Sequence, residues 1–102
     1  MSGYELTQRA HCDLEEIDDC LARRDPKAAR EFIIRAIEVF ELPAQHPEEG
    51  RRRAELKVGV RSFPLRNHIV YYRIAVQCVQ ILRIGHAAAM PALSSLFWRT
   101  EA

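Results

Sequence analysis

The stretch from Gly59 to Ile84, GVRSFPLRNHIVYYRIAVQCVQILRI, decides the fold. It is rich in β-branched and aromatic residues, and it is interrupted at Arg66-Asn67 and again from Ala75 to Gln77. This pattern predicts three strands joined by hairpin turns, at Val60–Phe63, His68–Ile74 and Val79–Ile84. Gly59 is predicted to lie at a bulge or bend, and a further short strand is predicted at Glu55–Val58. Neighbouring strands of this kind pair antiparallel.

The chain before Gly50 has helical periodicity instead. After a short predicted strand at Tyr4–Leu6, Thr7 is suited to cap a first helix, whose apolar residues fall on one face: Ala10, Leu14, Ile17 and Leu21. Asp25-Pro26 supplies the cap and first residue of a second helix, which Pro43 and Pro47 are predicted to end. The expected fold is therefore α+β, in the order β-α-α-β-β-β, with an antiparallel sheet packed against a two-helix hairpin.

Length and composition indicate one soluble domain. The 102 residues are 48% hydrophobic and 28% charged, which is a globular balance with room for one core, so residues 1–102 are predicted to form a single domain with a C-terminal tail from about residue 87. No apolar run approaches the roughly 20 residues that cross a bilayer. We expect a cytoplasmic protein with no membrane association, no small-molecule substrate and no cofactor. The cysteines lack metal-ligand spacing and are expected to be reduced, space-filling thiols.

A net charge of +1 conceals a segregation of charge along the chain. The first helix is acidic from Asp13 to Asp19, whereas the predicted strands carry three arginines: Arg61, Arg73 and Arg83. These arginines either form one cationic patch that contacts an acidic protein or nucleic acid, or make salt bridges to helix acids such as Glu15 or Asp18. Arg51-Arg52-Arg53 is predicted to be a solvated loop.

Histidines and aromatic residues complete the set of candidate functional residues. His68 and His86 have no evident nucleophile or metal ligand beside them and are expected to be structural, although His86 is also a candidate contact residue. Tyr71 and Tyr72 point to opposite faces of one strand, so one should be core and the other should line a groove. Phe97-Trp98, near the chain end, either packs back onto the fold or anchors a partner.

A family resemblance appears in these same segments. Gly59–Arg73 resembles the GxRSFP and YYR strand motif of ParE-type toxins, in the RelE/ParE superfamily of bacterial type II toxin–antitoxin systems. Further similarity lies in the strand and segments Ile81–His86, Asp13–Ile17, His46-Pro47 and Leu96-Phe97, so the resemblance spans nearly the whole chain. It implies a RelE-like fold.

The resemblance also implies partners. These are a small ParD-like antitoxin, with which the toxin forms a hetero-oligomer, and, for ParE members, DNA gyrase as the target. We expect the binding residues to be Arg61, Tyr72, Arg73, Arg83, His86, Phe97 and Trp98.

RelE members with the same fold cut messenger RNA on the ribosome, and this is the alternative function. Such cleavage needs clustered cations together with an acid such as tyrosine or histidine. In the RelE pattern an arginine follows the position of His86 and a tyrosine comes a few residues later, whereas this chain has Ala87 and no tyrosine after Tyr72. The resemblance therefore favours a non-enzymatic toxin with no catalytic residues and no metal. The sequence Ala87-Ala88-Ala89, where ParE toxins often carry Gly-Ala-Arg, leaves a third reading open, in which an inactive member only sequesters antitoxin.

Overall fold

A computed structural model describes residues 3–53 and 58–86. Within them the chain forms two helices and a five-stranded sheet. The elements follow the order β1 (Tyr4–Leu6), α1 (Gln8–Arg24), α2 (Pro26–Gln45), β2 (Arg51–Arg52), β3 (Arg61–Leu65), β4 (His68–Ile74) and β5 (Val79–His86). The α+β class and the helical hairpin packed against a sheet are confirmed.

Both predicted helix caps are present. The Thr7 hydroxyl accepts a hydrogen bond from the Ala10 amide at 3.1 Å, and the Asp25 carboxylate accepts bonds from the amides of Lys27 and Ala28. Because Asp25 ends α1 and begins α2 with Pro26 at its first position, the two helices are joined by a single residue. This tight connection fixes them as a hairpin.

The second helix ends at Gln45, between the two prolines that were predicted to end it. Pro43 lies in the last turn of α2, is buried, and is followed by Ala44 and Gln45 before the cap residue His46. A proline this close to the C-terminus removes one helical hydrogen bond, and burial of its ring offsets part of that cost. The helix then ends before Pro47, as predicted.

The sheet has the strand order β1-β5-β4-β3-β2. The pairs from β2 to β5 are antiparallel, whereas β1 lies parallel to β5 because the helical hairpin carries the chain back across the sheet between them. A register shift interrupts the β4–β5 ladder: Tyr71 is opposite Arg83, and Tyr72 is opposite Ile81. Leu82 is therefore the extra residue of a β-bulge.

The main core lies between the sheet and the helices. It includes Phe32, Ala36 and Phe40 of α2, and Val70 and Tyr72 of β4. A smaller group on the other face of the sheet, the outer cluster, consists of Val60, Tyr71 and Leu82 with Ile69 packed against it.

The two tyrosines correct one expectation. Tyr71 and Tyr72 point to opposite faces, as predicted, but both are buried, at 2% and 0% exposure. Tyr72 therefore does not line an open groove, because the segment before β2 covers it.

The edge next to β3 is short and partly blocked. Arg51 and Arg52, predicted as a loop, form the exposed strand β2, which covers only Arg61 and Ser62 of β3. The Arg53 amide donates a hydrogen bond to the Val60 carbonyl, so the backbone groups of Val60 point toward this edge of the sheet. Every second residue of a strand points the same way, and Pro64 is therefore the residue beyond β2 whose backbone faces the open edge. Proline has no amide hydrogen to offer there, which protects the edge from further strand pairing.

The other sequence predictions have mixed outcomes. Arg66 and Asn67 form the expected hairpin turn, with Arg66 at φ 55°, and Gly59 lies in a turn at φ 87°. Cys20 is exposed and so does not fill space in the core.

Most of the Glu55–Val58 strand and the tail from residue 87, with Phe97 and Trp98, lie outside the described residues. In the described parts of the chain, neither helix combines the length and the apolar character that a membrane span requires.

Candidate binding surface

Arg83 is a buried residue rather than part of a surface patch. Its side chain is 10% exposed, and its Nε and Nη2 atoms donate to the two carboxylate oxygens of Asp13 at 2.8 and 3.1 Å. This two-point geometry is the strongest form of the arginine–carboxylate pair. A salt bridge from Arg83 to an acid of the first helix was one of the two predicted alternatives. The acids suggested as partners were Glu15 and Asp18, whereas the actual partner is Asp13.

The same carboxylate also closes the edge of β5. Strand β1 covers β5 only from Val79 to Ile81, so the later backbone groups of β5 need other partners. Asp13 Oδ2 accepts the Ile84 amide at 3.0 Å, and the Thr7 hydroxyl donates to the Leu82 carbonyl at 2.9 Å. Helix α1 thus takes the place of a longer edge strand.

Arg61 and Tyr72 hold the segment that leads from α2 into β2. Arg61 Nη1 donates to the carbonyls of Glu48 and Gly50 at 2.9 and 3.0 Å. The Tyr72 hydroxyl donates to the Pro47 carbonyl at 2.7 Å and accepts the Gly50 amide at 3.1 Å. Burial raises the pKa of Tyr72, and the hydrogen bond from Gly50 and the charge of Arg61 act against that rise. Arg61 therefore stabilises a loop.

Arg73 differs from the other two predicted arginines because it is exposed. Its Nε donates to Gln80 Oε1 at 2.8 Å, and Gln80 Nε2 donates in turn to Glu5 at 3.1 Å. This row across β4, β5 and β1 orients the guanidinium, while no hydrogen bond within the described residues is made by its two terminal nitrogens. An oriented guanidinium with free donors is suited to bind a carboxylate or phosphate.

His68 and His86 lie directly opposite each other at the far end of the β4–β5 ladder. Their ring centroids are 5.2 Å apart, and the edge of His68 also packs against Phe32 at 5.4 Å. Burial, followed by the charge of His86, lowers the pKa of His68. His68 Nδ1 is buried and has no hydrogen-bond partner among the described residues.

A cavity of about 480 Å³ opens beside this histidine pair. It lies between the C-terminal half of α1 and the hairpin turn, and its lining includes Glu16, Cys20, Arg24 and Asn67. In residues 3–53 and 58–86, no group of three histidine, cysteine or acidic residues is arranged to hold a metal ion.

The structure therefore separates the predicted site residues. Arg61 and Arg83 make structural contacts, Tyr72 is core, His86 is exposed beside the cavity, and Arg73 is exposed on the sheet. Sequence reasoning missed the roles of Asp13 and Gln80. Helix α1 contains five acidic residues, and nothing in the neighbouring sequence distinguishes Asp13 from the other four, because its partner is 70 residues away.

Comparison with known proteins agrees with this fold. The chain matches the family described as the ParE toxin of the type II toxin–antitoxin system, parDE, over residues 4–91. It is 31% identical to toxin ParE1 of Caulobacter vibrioides, with 84% of this chain and 90% of that protein covered. It is 33% identical to toxin RelE3 of the same organism, with 85% and 96% covered.

A solved structure gives the same result. The chromosomal ParDE toxin–antitoxin system from P. aeruginosa contains a chain that superposes with a TM-score of 0.73 at 26% identity, over 84% of this chain and 96% of that one. The fold, with its helical hairpin on a five-stranded sheet, is thus that of a toxin in the ParE/RelE group. The chain belongs to the ParE toxin family of type II toxin–antitoxin systems.

Proposed function

We propose that this toxin acts by binding DNA gyrase and stabilising its cleaved complex with DNA, and that a small ParD-like antitoxin neutralises it in a cytoplasmic hetero-oligomer. In this proposal the chain has no catalytic residues of its own. Its effect comes from occupying a surface of another macromolecule, and relief comes from an antitoxin that covers the toxin.

The observation that carries the proposal is the use of Arg61 and Arg83 inside the fold. An RNA-cleaving toxin would direct such cations at the scissile phosphate. Here Arg83 is held by a buried carboxylate and Arg61 by two backbone carbonyls. Moving Arg83 to a substrate would take this partner from the Asp13 carboxylate, which is only 13% exposed, and moving Arg61 would release the loop carbonyls of Glu48 and Gly50.

Arg73 supports a binding role on the sheet. Its guanidinium is exposed and is oriented by Gln80, and it lies on the same strand as Tyr71 of the outer cluster. A fixed and exposed cation fits a partner segment that carries a carboxylate or a phosphate. The antitoxin and the gyrase–DNA complex both offer such chemistry.

The alternative is a RelE-type messenger RNA interferase. The similarity to toxin RelE3 is as high as that to toxin ParE1, which supports this second candidate function. It predicts cleavage of messages on translating ribosomes, with loss of activity when Arg61 or Arg83 is replaced. The gyrase proposal predicts intact messages and damaged DNA.

A supercoiling assay tests the proposal directly. Purified chain is added to gyrase and relaxed plasmid, and supercoiled and linear DNA are measured. We expect inhibition with linear DNA trapped, weakened by Arg73→Ala but not by Arg35→Ala on the helical side. Full supercoiling and no linear DNA at excess toxin would contradict the proposal, and cleavage of ribosome-bound message in a parallel reaction would favour the alternative.

A further inference from the structure

The outward face of α2 carries an apolar stripe that the fold leaves uncovered. Ile34 and Ile37 are 60% and 45% exposed, although large aliphatic side chains in a small domain are normally buried. Arg30 lies one turn before this pair and Glu41 lies one turn after it, and both are exposed. The spacing of four, three and four residues places all of them in one line along the helix, here named the α2 stripe.

The charges at the two ends of the α2 stripe form no ion pair with any residue that the structure describes. No ion pair in the described residues uses Arg30 or Glu41, whereas Arg35 and Glu38 beside them are paired at 3.0 Å. Glu31, beside the stripe, has Lys27 one turn before it and Arg35 one turn after it, so its negative charge is compensated within the same helix. The two unpaired charges are opposite in sign and are separated by the two isoleucines.

This arrangement is self-complementary. If a second copy of α2 lies antiparallel on the first, Ile34 can face Ile37 of the second copy. The same register then places Arg30 opposite Glu41 of the second copy, because both pairs are centred on the same point of the helix. A two-fold interface makes each pair twice, which is the pattern of an isologous dimer. Antiparallel coiled-coil packing of alternate seam positions has this geometry.

A groove next to the α2 stripe provides room for the second helix. It lies between α1 and α2 and has a volume of about 480 Å³. Apolar residues form most of its lining, and Ile34 at its border belongs to the stripe; the others are Ala22, Pro26, Ala29 and Ile33. Small side chains at such a position let two helices approach closely.

From this geometry we infer that the α2 stripe is a homodimer interface, at which two copies of this chain pack α2 against α2 in antiparallel orientation. The occupant is a second copy because the stripe matches its own charge pattern in reverse. This interface lies on the helical side of the molecule, away from Arg73, and does not depend on the proposed target of the toxin.

Charge reversal tests this inference with the full chain. Sedimentation velocity over a concentration series gives the dimer dissociation constant for four proteins: the unmodified chain, Arg30→Glu, Glu41→Arg, and the double variant. Each single reversal turns two attractive contacts into two repulsive ones, so we expect the dissociation constant to rise about tenfold. The double variant has the two charges exchanged, so each pair is again attractive, and the dissociation constant should return to near its original value.

Melting temperatures and circular dichroism, measured at a concentration low enough for every variant to be monomeric, separate a lost interface from a lost fold, and both exposed substitutions should leave them unchanged. A chain that stays monomeric at all concentrations overturns the inference. So does a dimer that ignores the single reversals or is not restored by the double one. If the stripe becomes protected from hydrogen exchange only when the antitoxin is added, the face belongs to the antitoxin and the homodimer is excluded.

Discussion

Asp13 and Arg83 are separated by 70 residues in the sequence, yet the Asp13 carboxylate meets the Arg83 guanidinium at 2.8 and 3.1 Å and also accepts the Ile84 amide. This contact joins α1 to the middle of β5. It satisfies a buried cation and an edge amide with one carboxylate, so the acidic helix and the cationic strand are complementary at this point.

Removing the Asp13 carboxylate should therefore destabilise the fold. Asp13→Ala removes two hydrogen bonds from a buried guanidinium and the acceptor of the Ile84 amide, and we expect the free energy of unfolding to fall by about 3–5 kcal/mol. Urea denaturation measures the loss. Glu38→Ala, which breaks an exposed pair of similar length, is the matched control and should cost less than about 1 kcal/mol. Equal costs for the two variants would contradict a structural role for the Asp13–Arg83 pair.

The contact between Gly50 and Tyr72 leaves no room for a side chain at residue 50. A Cβ there would overlap the Tyr72 hydroxyl and lie 2.7 Å from Cε1, against ring and backbone that are both buried. We expect Gly50→Ala to lower the melting temperature more than Gly59→Ala does. A Cβ at residue 59 would meet no atom within 4 Å, so that substitution costs only about 1 kcal/mol of backbone strain at φ 87°. The reverse order would show that the segment before β2 adapts freely.

Tyr72→Phe tests the hydrogen bonds of the same contact. It keeps the ring but leaves the Gly50 amide and the Pro47 carbonyl without the hydroxyl that joins them. We expect a loss of about 1–3 kcal/mol in urea denaturation, because these groups are shielded from water. A Tyr71→Phe variant of the neighbouring tyrosine serves as the comparison for removal of a hydroxyl from the outer cluster. No measurable loss from Tyr72→Phe would mean that water replaces the hydroxyl.

Stability should depend on pH through His68. Its pKa is lowered in the folded state, chiefly by burial and then by His86, so the unfolded chain takes up a proton first as pH falls. The free energy of unfolding is therefore expected to be highest above pH about 6.5 and to fall below it, until the folded-state pKa is reached. Urea denaturation between pH 7.5 and about 5 measures this, and His68→Gln should flatten the curve. His11→Gln, at an exposed helix position, is the control, and an unchanged slope in His68→Gln would contradict the prediction.

Arg73 should affect binding without affecting stability. Arg73→Ala removes an exposed side chain that, among the described residues, makes a hydrogen bond only to Gln80, so we expect less than about 0.5 kcal/mol change in stability. Affinity for the antitoxin, measured by calorimetry, should fall about tenfold or more if a carboxylate binds there. Gln80→Ala, which removes the orienting group but keeps the charge, should give a smaller loss. Unchanged affinity in Arg73→Ala would place the antitoxin contact elsewhere.

The local features of this fold could be read from the sequence. Helix caps at Thr7 and Asp25, the hairpin turn at Arg66-Asn67 and the extended run His68–Ile74 depend on neighbouring residues, and all are present. Pro43 and Pro47 bracket the end of α2, as predicted, and burial of Pro43 against the rest of the molecule accompanies its place in the last turn.

The roles of the site residues depended on the tertiary structure. The sequence determined that arginines occur on three neighbouring strands, but not which of them reaches the surface. That outcome depends on the β-bulge at Leu82, which changes the register opposite Tyr71, and on the approach of Asp13 from α1. Hydrophobic periodicity reports which face of an element is buried, whereas the direction of a long charged side chain follows from long-range packing. The sequence thus determined the architecture and the family, and the packing of α1 on β5 decided that Arg83 stabilises the fold while Arg73 remains available to a partner.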